Sequence, residues 1–246
     1  MSDLALALRQ VRYENRSFWR NPPAAFFTFA FPLLFMFVFN TLFGEGAAGF
    51  FTPAIIVFAV VTATFTNLAM TVAIARDEGI LKRVRGTPLP TWAYLAGRIG
   101  HAVLITALLV VIVAAFGALL YGVEVPWGAV PAILVVLFVA AAAFSALGLA
   151  LAGVMPSADA APAVVNALVL PILFISNVFV DMSNAPPWLD AVSHLFPVRH
   201  FADAMLELYR SSGVAAVPWL EVAVIAAWGV IGVVLALRFF SWEPRR

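Results

Sequence analysis

The chain has 246 residues, of which 64% are hydrophobic and only 11% are charged. A soluble domain carries about 25% charged residues because it needs a polar surface, and fourteen Lys and Arg with thirteen Asp and Glu cannot cover one of this size. The composition therefore excludes an ordinary soluble protein and indicates a membrane protein, while the net charge of +1 gives no indication of nucleic-acid binding.

Residues 1–22 precede the first long apolar run and differ from it in pattern. Leu8, Val11 and Phe18 can lie on one side of a helix, with arginines on the other sides. This pattern is typical of an amphipathic helix in the membrane interface, with its arginines near anionic lipid head groups. A plain basic segment before the first span is the alternative. No signal peptide is expected, because the first apolar run is long and no small-residue cleavage site follows it.

Six apolar stretches are long enough to cross a hydrocarbon core about 30 Å thick, which requires about 20 helical residues. They lie at residues 24–43, 53–75, 99–121, 131–154, 160–180 and 219–240. Pro32 and Pro171 predict kinks, and Pro162 with Pro171 makes the fifth stretch the weakest candidate. Because lipid offers backbone groups no partners, the sequence predicts an all-α membrane protein, a single domain over residues 1–246 with six transmembrane helices.

The positions of Lys and Arg predict the orientation of these helices. If the chain crosses six times from a cytoplasmic N-terminus, only Arg199 and Arg210 of the fourteen basic residues lie outside the cell. Cytoplasmic loops hold most of the Lys and Arg of membrane proteins, so both termini are expected in the cytoplasm. An odd number of crossings would instead place Arg245 and Arg246 on the outer side. We therefore expect a multi-pass protein of the inner (plasma) membrane.

The cytoplasmic segment 76–88, between the second and third spans, has its acidic residues first and its basic residues last. This order suits the dipole of a short helix, because Asp77 and Glu78 would lie at its positive end and Lys82 to Arg85 at its negative end. A glycine and a proline would then end the helix. A docking helix is favoured over a plain charged turn, and its candidate contacts with a partner are Arg76, Asp77, Glu78, Leu81, Lys82, Arg83 and Arg85.

The outer loop 181–218 is long, apolar and rich in proline. Residues 188–196 and 201–209 are apolar but too short to span the membrane, and we expect interfacial or re-entrant helices there. The polar side chains of this loop have two interpretations: ordinary interfacial contacts, which we favour, or a weak metal site formed by Asp190, His194, His200 and Asp203.

Ionisable residues inside a span usually mark function, because burying them is costly, and this chain has almost none. His101 lies near the inner end of the third span and Glu221 at the start of the sixth. The lack of an acidic residue at mid-membrane counts against an ion-driven carrier. Lys82 is the only lysine and belongs to no P-loop. We therefore expect no enzyme activity and no cofactor in this chain; if ATP powers the protein, another chain binds the ATP and Mg²⁺.

Polar side chains deep in the spans also have two interpretations. They can hydrogen-bond between helices, at a gain of about 0.6 kcal/mol each, or they can line a path for a substrate. Asn166 and Asn177 are best placed for a path, because they flank the kink expected at Pro171. The first span is rich in phenylalanine, and some of its rings can contact an apolar substrate. The candidate path residues are Phe35, Asn40, Asn67, Asn166, Phe174, Ser176 and Asn177.

An amphipathic first helix, six spans, a charged loop after the second span and a long outer loop before the sixth form a known pattern. This pattern resembles the type-2 ABC exporter permeases, in particular those of the daunorubicin-resistance type. The resemblance covers essentially the whole chain, and it rests on the order and spacing of residues 76–89, 144–149 and 196–204.

The resemblance implies a dimer of permeases, expected to be two copies of this chain, with two cytoplasmic ATP-binding subunits. Residues 76–87 would match the family's coupling helix, and Glu78 its recurrent acidic position. The first, second and fifth spans would border the path at the dimer axis. The N-terminal helix would match the family's connecting helix, in which the candidate residues are Arg12, Glu14 and Arg16.

The sequence therefore predicts the membrane subunit of an ATP-driven exporter for an amphiphilic or hydrophobic compound, such as a drug, an antibiotic or a lipid. Two alternatives remain open. Related permeases export polysaccharides or glycolipids, and aromatic rings along the path at the dimer axis would favour that alternative. The chain can also be a membrane scaffold that transports nothing and holds partners through residues 2–21 and 76–87.

Overall fold

The computed structural model describes residues 3–44, 46–86, 91–211 and 213–239. Within these ranges the chain is helical and contains no strand, which confirms the predicted all-α class. A π-helical turn, Thr62–Thr66, joins α3 directly to α4. The helices are α1 (Asp3–Trp19), α2 (Pro22–Phe43), α3 (Ala48–Val61), α4 (Asn67–Asp77), α5 (Ile80–Arg85), α6 (Thr91–Tyr121), α7 (Val130–Val154), α8 (Ala161–Phe174), α9 (Pro187–Ser193), α10 (Pro197–Arg210) and α11 (Trp219–Phe239).

Five helical segments of this part of the chain are long and apolar enough to cross a membrane. They overlap five of the six predicted spans, although α6 begins at Thr91, well before the predicted residue 99. The five segments are Pro22–Phe43, Ala48–Asp77, Trp92–Tyr121, Trp127–Val154 and Trp219–Phe239.

The stretch predicted as the fifth span, 160–180, is helical only in its first part. Helix α8 has 14 residues, or about 21 Å at 1.5 Å per residue, which is shorter than a hydrocarbon core. The helix ends at Phe174, and Asn177 takes a φ of 56°, a conformation that a right-handed helix does not contain. The prediction of one helix over 160–180 is therefore wrong, and Ser176 and Asn177 lie in a turn.

Helices α3 and α7 form the centre of the fold. Every residue from 51 to 61 in α3 is buried, and α7 packs against α4, α10 and α11. By contrast, only 17% of the most apolar part of α2 and 22% of that of α11 is buried within the chain. These two helices therefore present most of their apolar surface to lipid or to another protein.

Small residues let α7 approach its neighbours closely. A Cβ atom added to Gly148 would lie 2.7 Å from the carbonyl oxygen of Phe65, in the π-helical turn. A Cβ atom added to Gly232 of α11 would lie 2.8 Å from the backbone nitrogen of Leu147. Because lipid supplies no hydrophobic force between helices, such close van der Waals contacts contribute much of the association of membrane helices.

Helix α1 packs across the first turns of α6 in the same way. A Cβ atom on Gly97 would overlap the side chain of Gln10, and one on Gly100 would lie 2.8 Å from Cγ2 of Val11. Gln10 and Val11 of α1 thus lie against α6, whereas Leu8, Arg12 and Arg16 are exposed. This contact explains why α6 can begin as early as Thr91, because α1 covers the first turns of α6.

Replacing Gly148 or Gly232 by alanine is expected to destabilise the bundle, because the new methyl group would overlap backbone atoms of the facing helix. Overpacking of this kind costs about 1–3 kcal/mol. The measurement is the midpoint of thermal unfolding of the detergent-purified chain. Gly49→Ala is the matched control, since nothing lies within 4 Å of a Cβ atom at this helical position. Equal midpoints for all three variants would contradict the close packing.

Candidate coupling site and transport path

The junction between α4 and α5 determines where the charged residues of the predicted docking helix lie. Helix α4 ends at Asp77, Gly79 adopts a φ of 70°, and α5 begins at Ile80. Glycine takes this left-handed conformation without steric cost, so the chain turns sharply here. Asp77 and Glu78 therefore lie at the C-terminal end of α4 and not at the start of α5, and the prediction from the helix dipole is wrong for these two residues.

Arg76 is buried, with 1% of its surface exposed, although the sequence suggested a contact with a partner. Its Nη1 and Nη2 atoms donate to the carbonyl oxygens of Ala152 at 2.9 Å and Met155 at 2.8 Å. These carbonyls end α7, where the last C=O groups have no partner within the helix. The guanidinium thus caps α7 and lies at the negative end of its dipole.

Asp77 extends this contact to the turn between α7 and α8. One of its carboxylate oxygens lies 3.2 Å from Nε of Arg76, and the other accepts a hydrogen bond from the backbone N–H of Ala158 at 2.5 Å. We name Arg76, Asp77 and the segment 152–158 the Arg76 clamp. The clamp joins the C-terminal ends of α4 and α7 to the turn that leads into α8.

Beyond the Arg76 clamp, three of the seven predicted contact residues are exposed at the surface. They are Glu78, Lys82 and Arg83. Leu81 is fully buried in an apolar cluster with Leu68 and Tyr94, so it anchors α5 to the bundle. Arg85 is the last residue of α5, and its side chain lies outside the described part of the chain, as do residues 87–90.

Among the connecting-helix candidates, Arg12 and Arg16 are exposed, whereas Glu14 faces α6. The Glu14 carboxylate accepts a hydrogen bond from Nε2 of Gln10 at 2.9 Å and lies 3.5 Å from Nε of Arg98. Glu14 therefore holds α1 against α6, and the two arginines remain exposed at the surface of α1.

A polar cavity of about 220 Å³ lies between α1, α2, α4 and α6. Asn67, which the sequence placed on a substrate path, lines this cavity together with Arg98 and His101. Arg98 donates to the hydroxyl oxygen of Thr71 at 3.1 Å. None of the other predicted path residues lines the cavity, so the structure separates Asn67 from them.

Phe35 and Phe174 are brought together through a third ring, Phe179. Phe35 stacks on Phe179 with ring centres 5.6 Å apart, and Phe174 lies 5.2 Å from Phe179. Phe58 of α3 lies 5.3 Å from Phe179, and Phe39 lies 5.8 Å from it. We name these five residues the phenylalanine cluster. Phe179 was not predicted from the sequence, because it lies in the irregular segment after α8 and follows no helical period.

The remaining path candidates occupy different environments. Asn40 is buried and donates to the carbonyl oxygen of Met36 at 2.7 Å, while its own carbonyl oxygen has no partner within the described residues. Ser176 is buried, and its hydroxyl likewise has no partner in that part of the chain. Asn166 is exposed on α8. Only Asn177 joins a larger polar network.

That network ties the turn after α8 to α10. Asn177 donates to Asp203 at 2.7 Å, and Asp203 forms an ion pair with Arg199 at 2.6 Å. Arg199 also lies 3.2 Å from the carboxylate of Asp190 in α9. In the described ranges, no group of three or more His, Cys, Asp and Glu side chains is placed to hold a metal ion. The network thus consists of polar contacts between α9, α10 and the turn.

His200 continues the network to α11. Its Nε2 atom bonds the carbonyl oxygen of His194 at 2.9 Å, and its Nδ1 atom bonds the carboxylate of Glu221. A carbonyl oxygen only accepts, so Nε2 is the donor in the bond to His194. Burial raises the pKa of Tyr209, also in α10, to about 12, so its phenol stays protonated.

Comparisons with known proteins agree on one family. The family model of the ABC-2 type transporter matches residues 8–209. The chain is 22% identical to the probable multidrug ABC transporter permease YbhR of Escherichia coli (strain K12) over 171 residues, 69% of this chain and 46% of that protein. It is 31% identical to the daunorubicin resistance ABC transporter permease protein DrrB1 of Streptomyces coeruleorubidus over 193 residues, 74% of this chain and 66% of that protein. The chain thus spans about half to two thirds of these relatives.

Replacing Arg76 by methionine is expected to lower the free energy of unfolding by about 3 kcal/mol, because it leaves two carbonyl groups and the Asp77 carboxylate without their cation. The measurement is SDS-induced unfolding of the purified chain. Arg83→Met is the matched control, since Arg83 is exposed on α5 and surface changes stay within about 0.5 kcal/mol. Similar losses in both variants would show that the Arg76 clamp contributes little.

Proposed function

The chain belongs to the ABC-2 type transporter family of membrane permeases, and on that premise we propose that it is the membrane subunit of an ATP-driven exporter for amphiphilic or hydrophobic compounds. Membership of the family implies an ABC ATP-binding partner. The only lysine, Lys82, belongs to no P-loop, so the partner binds ATP and Mg²⁺. The proposed assembly has two copies of the permease and two ATP-binding subunits.

In this proposal the chain crosses the inner membrane six times, with both termini in the cytoplasm. The fifth of these crossings consists of α8 and the irregular segment 175–180. Non-helical backbone is tolerated at membrane depth where it is buried in protein, and Ser176, Val178 and Phe179 are buried. Helices α9 and α10 then lie on the outer side as interfacial or re-entrant elements, and the charged face of α5 lies in the cytoplasm.

Coupling to the ATP-binding partner is best supported by the exposed charged residues that lie next to the Arg76 clamp, at the start of the turn before α5 and on α5 itself. A partner that pushes on Glu78, Lys82 and Arg83 moves a short helix that Leu81 anchors to the bundle. The Arg76 clamp passes this displacement to the inner ends of α7 and α8. For such coupling to work, ATP must favour one arrangement of the permease over another.

The proposed path follows the phenylalanine cluster, which joins α2, α3 and the segment after α8. Phe174 is half exposed and Phe35 is partly buried, so a compound that passes along this surface meets aromatic rings. Rings without hydroxyl or indole groups attract apolar parts of a molecule and offer it no hydrogen bond. This chemistry suits an amphiphile whose apolar part contacts the cluster.

Export of a polysaccharide or glycolipid remains the second candidate, and the phenylalanine cluster is the observation in its favour. Aromatic rings can stack on sugar rings, but sugar hydroxyls also need polar partners, and the ring cluster itself provides none. Among the predicted path residues, Ser176 and Asn40 have buried polar atoms without a partner in the described part of the chain. The amphiphile is therefore the better match.

Replacing Phe179 or Phe35 by alanine is expected to reduce ATP-dependent uptake of a fluorescent amphiphile into inverted vesicles several-fold, because each change removes stacked ring contacts. The vesicles contain the permease and its ATP-binding partner. Phe138→Ala is the matched control, since Phe138 is an exposed ring of α7 outside the phenylalanine cluster. Uptake of a labelled oligosaccharide in place of the amphiphile would support the second candidate instead.

The double change Glu78→Ala and Lys82→Ala is expected to weaken stimulation of the partner's ATPase activity about tenfold, the effect of losing about 1.4 kcal/mol of contact energy. The matched control is Glu207→Ala with Arg210→Ala, an exposed acid and base on the proposed outer side. Membrane insertion is monitored in both. Unchanged ATPase stimulation in the α5 variant would support a non-transporting scaffold.

A further inference from the structure

The polar cavity between α1, α2, α4 and α6 has no role in the coupling just described. We propose that it binds the head group of a phospholipid that carries both a phosphate and a primary ammonium group, phosphoethanolamine being the simplest. The proposal concerns a resident lipid of the proposed cytoplasmic leaflet, so it stands independently of what the permease exports.

The first argument is that polar atoms in the cavity lack partners. Among the described residues, Nδ1 of His101 and Nε of Arg98 are buried and make no hydrogen bond, and the ion pair from Arg98 to Glu14 is long at 3.5 Å. A buried polar group without a partner costs about 1–3 kcal/mol. A phosphate has several acceptor oxygens and can accept from the guanidinium of Arg98 and from an imidazole N–H of His101. The amide of Asn67 lines the same space.

The second argument is charge. The cavity contains one fixed cation, Arg98, and one fixed anion, Glu14, on opposing helices. A purely anionic ligand would be repelled by Glu14, and a purely cationic one by Arg98. A zwitterion places its phosphate beside Arg98 and its ammonium beside Glu14. A primary ammonium also donates hydrogen bonds to the carboxylate, which a quaternary ammonium group cannot do.

The third argument is the surface next to the cavity, which identifies a lipid as the source of the head group. Ala24 and Thr28 of α2 line the cavity, and Phe27 and Phe31 follow them three residues later on the same face of the helix. Both rings are exposed, Phe27 by 65% and Phe31 by 44%. Acyl chains attached to a bound head group would therefore continue along an apolar surface.

The experiment is native mass spectrometry of the full chain in detergent, with added phosphatidylethanolamine, phosphatidylcholine and phosphatidylglycerol of identical acyl chains. We expect one phosphatidylethanolamine per chain, bound about tenfold more tightly than the other two lipids, because phosphatidylglycerol has no cation for Glu14 and phosphatidylcholine has no ammonium N–H to donate to it. Equal retention of all three lipids would overturn the proposal. Displacement of the lipid by an equal concentration of free O-phosphoethanolamine would overturn the lipid as its source.

Variants test the assigned contacts. Glu14→Gln is expected to abolish the preference for phosphatidylethanolamine over phosphatidylglycerol, and Arg98→Gln to weaken binding of both. Arg238→Gln is the matched control, since Arg238 is an exposed arginine in the last turn of α11. If Arg238→Gln weakens binding as much as Arg98→Gln does, the interaction is general interfacial attraction and the cavity is not the site.

A pair of milder variants keeps the test valid if the charge changes disturb folding. Thr28→Leu fills the cavity from α2, whereas Thr41→Leu changes the same residue type on the same helix outside it. Both hydroxyls donate to the carbonyl oxygen four residues earlier, at 2.8 Å, so each variant loses the same hydrogen bond within the helix. Loss of lipid in Thr28→Leu alone supports the site, and equal retention in both contradicts it.

Discussion

The guanidinium of Arg76 is the constraint on which the packing of α4, α7 and the turn before α8 depends. A buried cation needs partners for its donors, because an uncompensated charge in a low-dielectric interior is strongly destabilising. Arg76 finds them in two carbonyl groups that end α7 and in the carboxylate of Asp77. These acceptors meet only if α4, α7 and the turn before α8 hold one arrangement, so a single side chain fixes the relative positions of three elements.

Lipid imposes a second constraint, which the segment after α8 meets in a different way. The helix break after α8 leaves backbone groups that the bilayer cannot satisfy. The Asn177 side chain replaces part of the lost helix, since its carbonyl oxygen accepts from the backbone N–H of Met182 at 2.7 Å and its amide donates to Asp203. Through Asp203 and Arg199 the break becomes part of a network that includes α9 and α10.

Which parts of the fold and site could be predicted from the sequence depended on how far apart in the chain the interacting residues lie. The long apolar runs define α2, α3 with α4, α6, α7 and α11, because burial in lipid requires local, continuous apolar sequence. The break at Asn177 and the burial of Arg76 could not be predicted, since both depend on partners distant in the chain, Asp203 and Ala152. The seven candidate contacts around α5 included three exposed residues, Glu78, Lys82 and Arg83.

Helix α8 links these two sets of contacts. One of its ends follows the turn held by Asp77, and the other leads through Phe174 into the phenylalanine cluster and then to Asn177. Between these ends, one face of α8 packs into the core through Val165 and Val169, and the opposite face is exposed. In the proposed mechanism, a displacement at α5 would therefore reach the phenylalanine cluster through α8. Such coupling needs no charged group inside the membrane, which agrees with the near absence of charge from the long apolar helices.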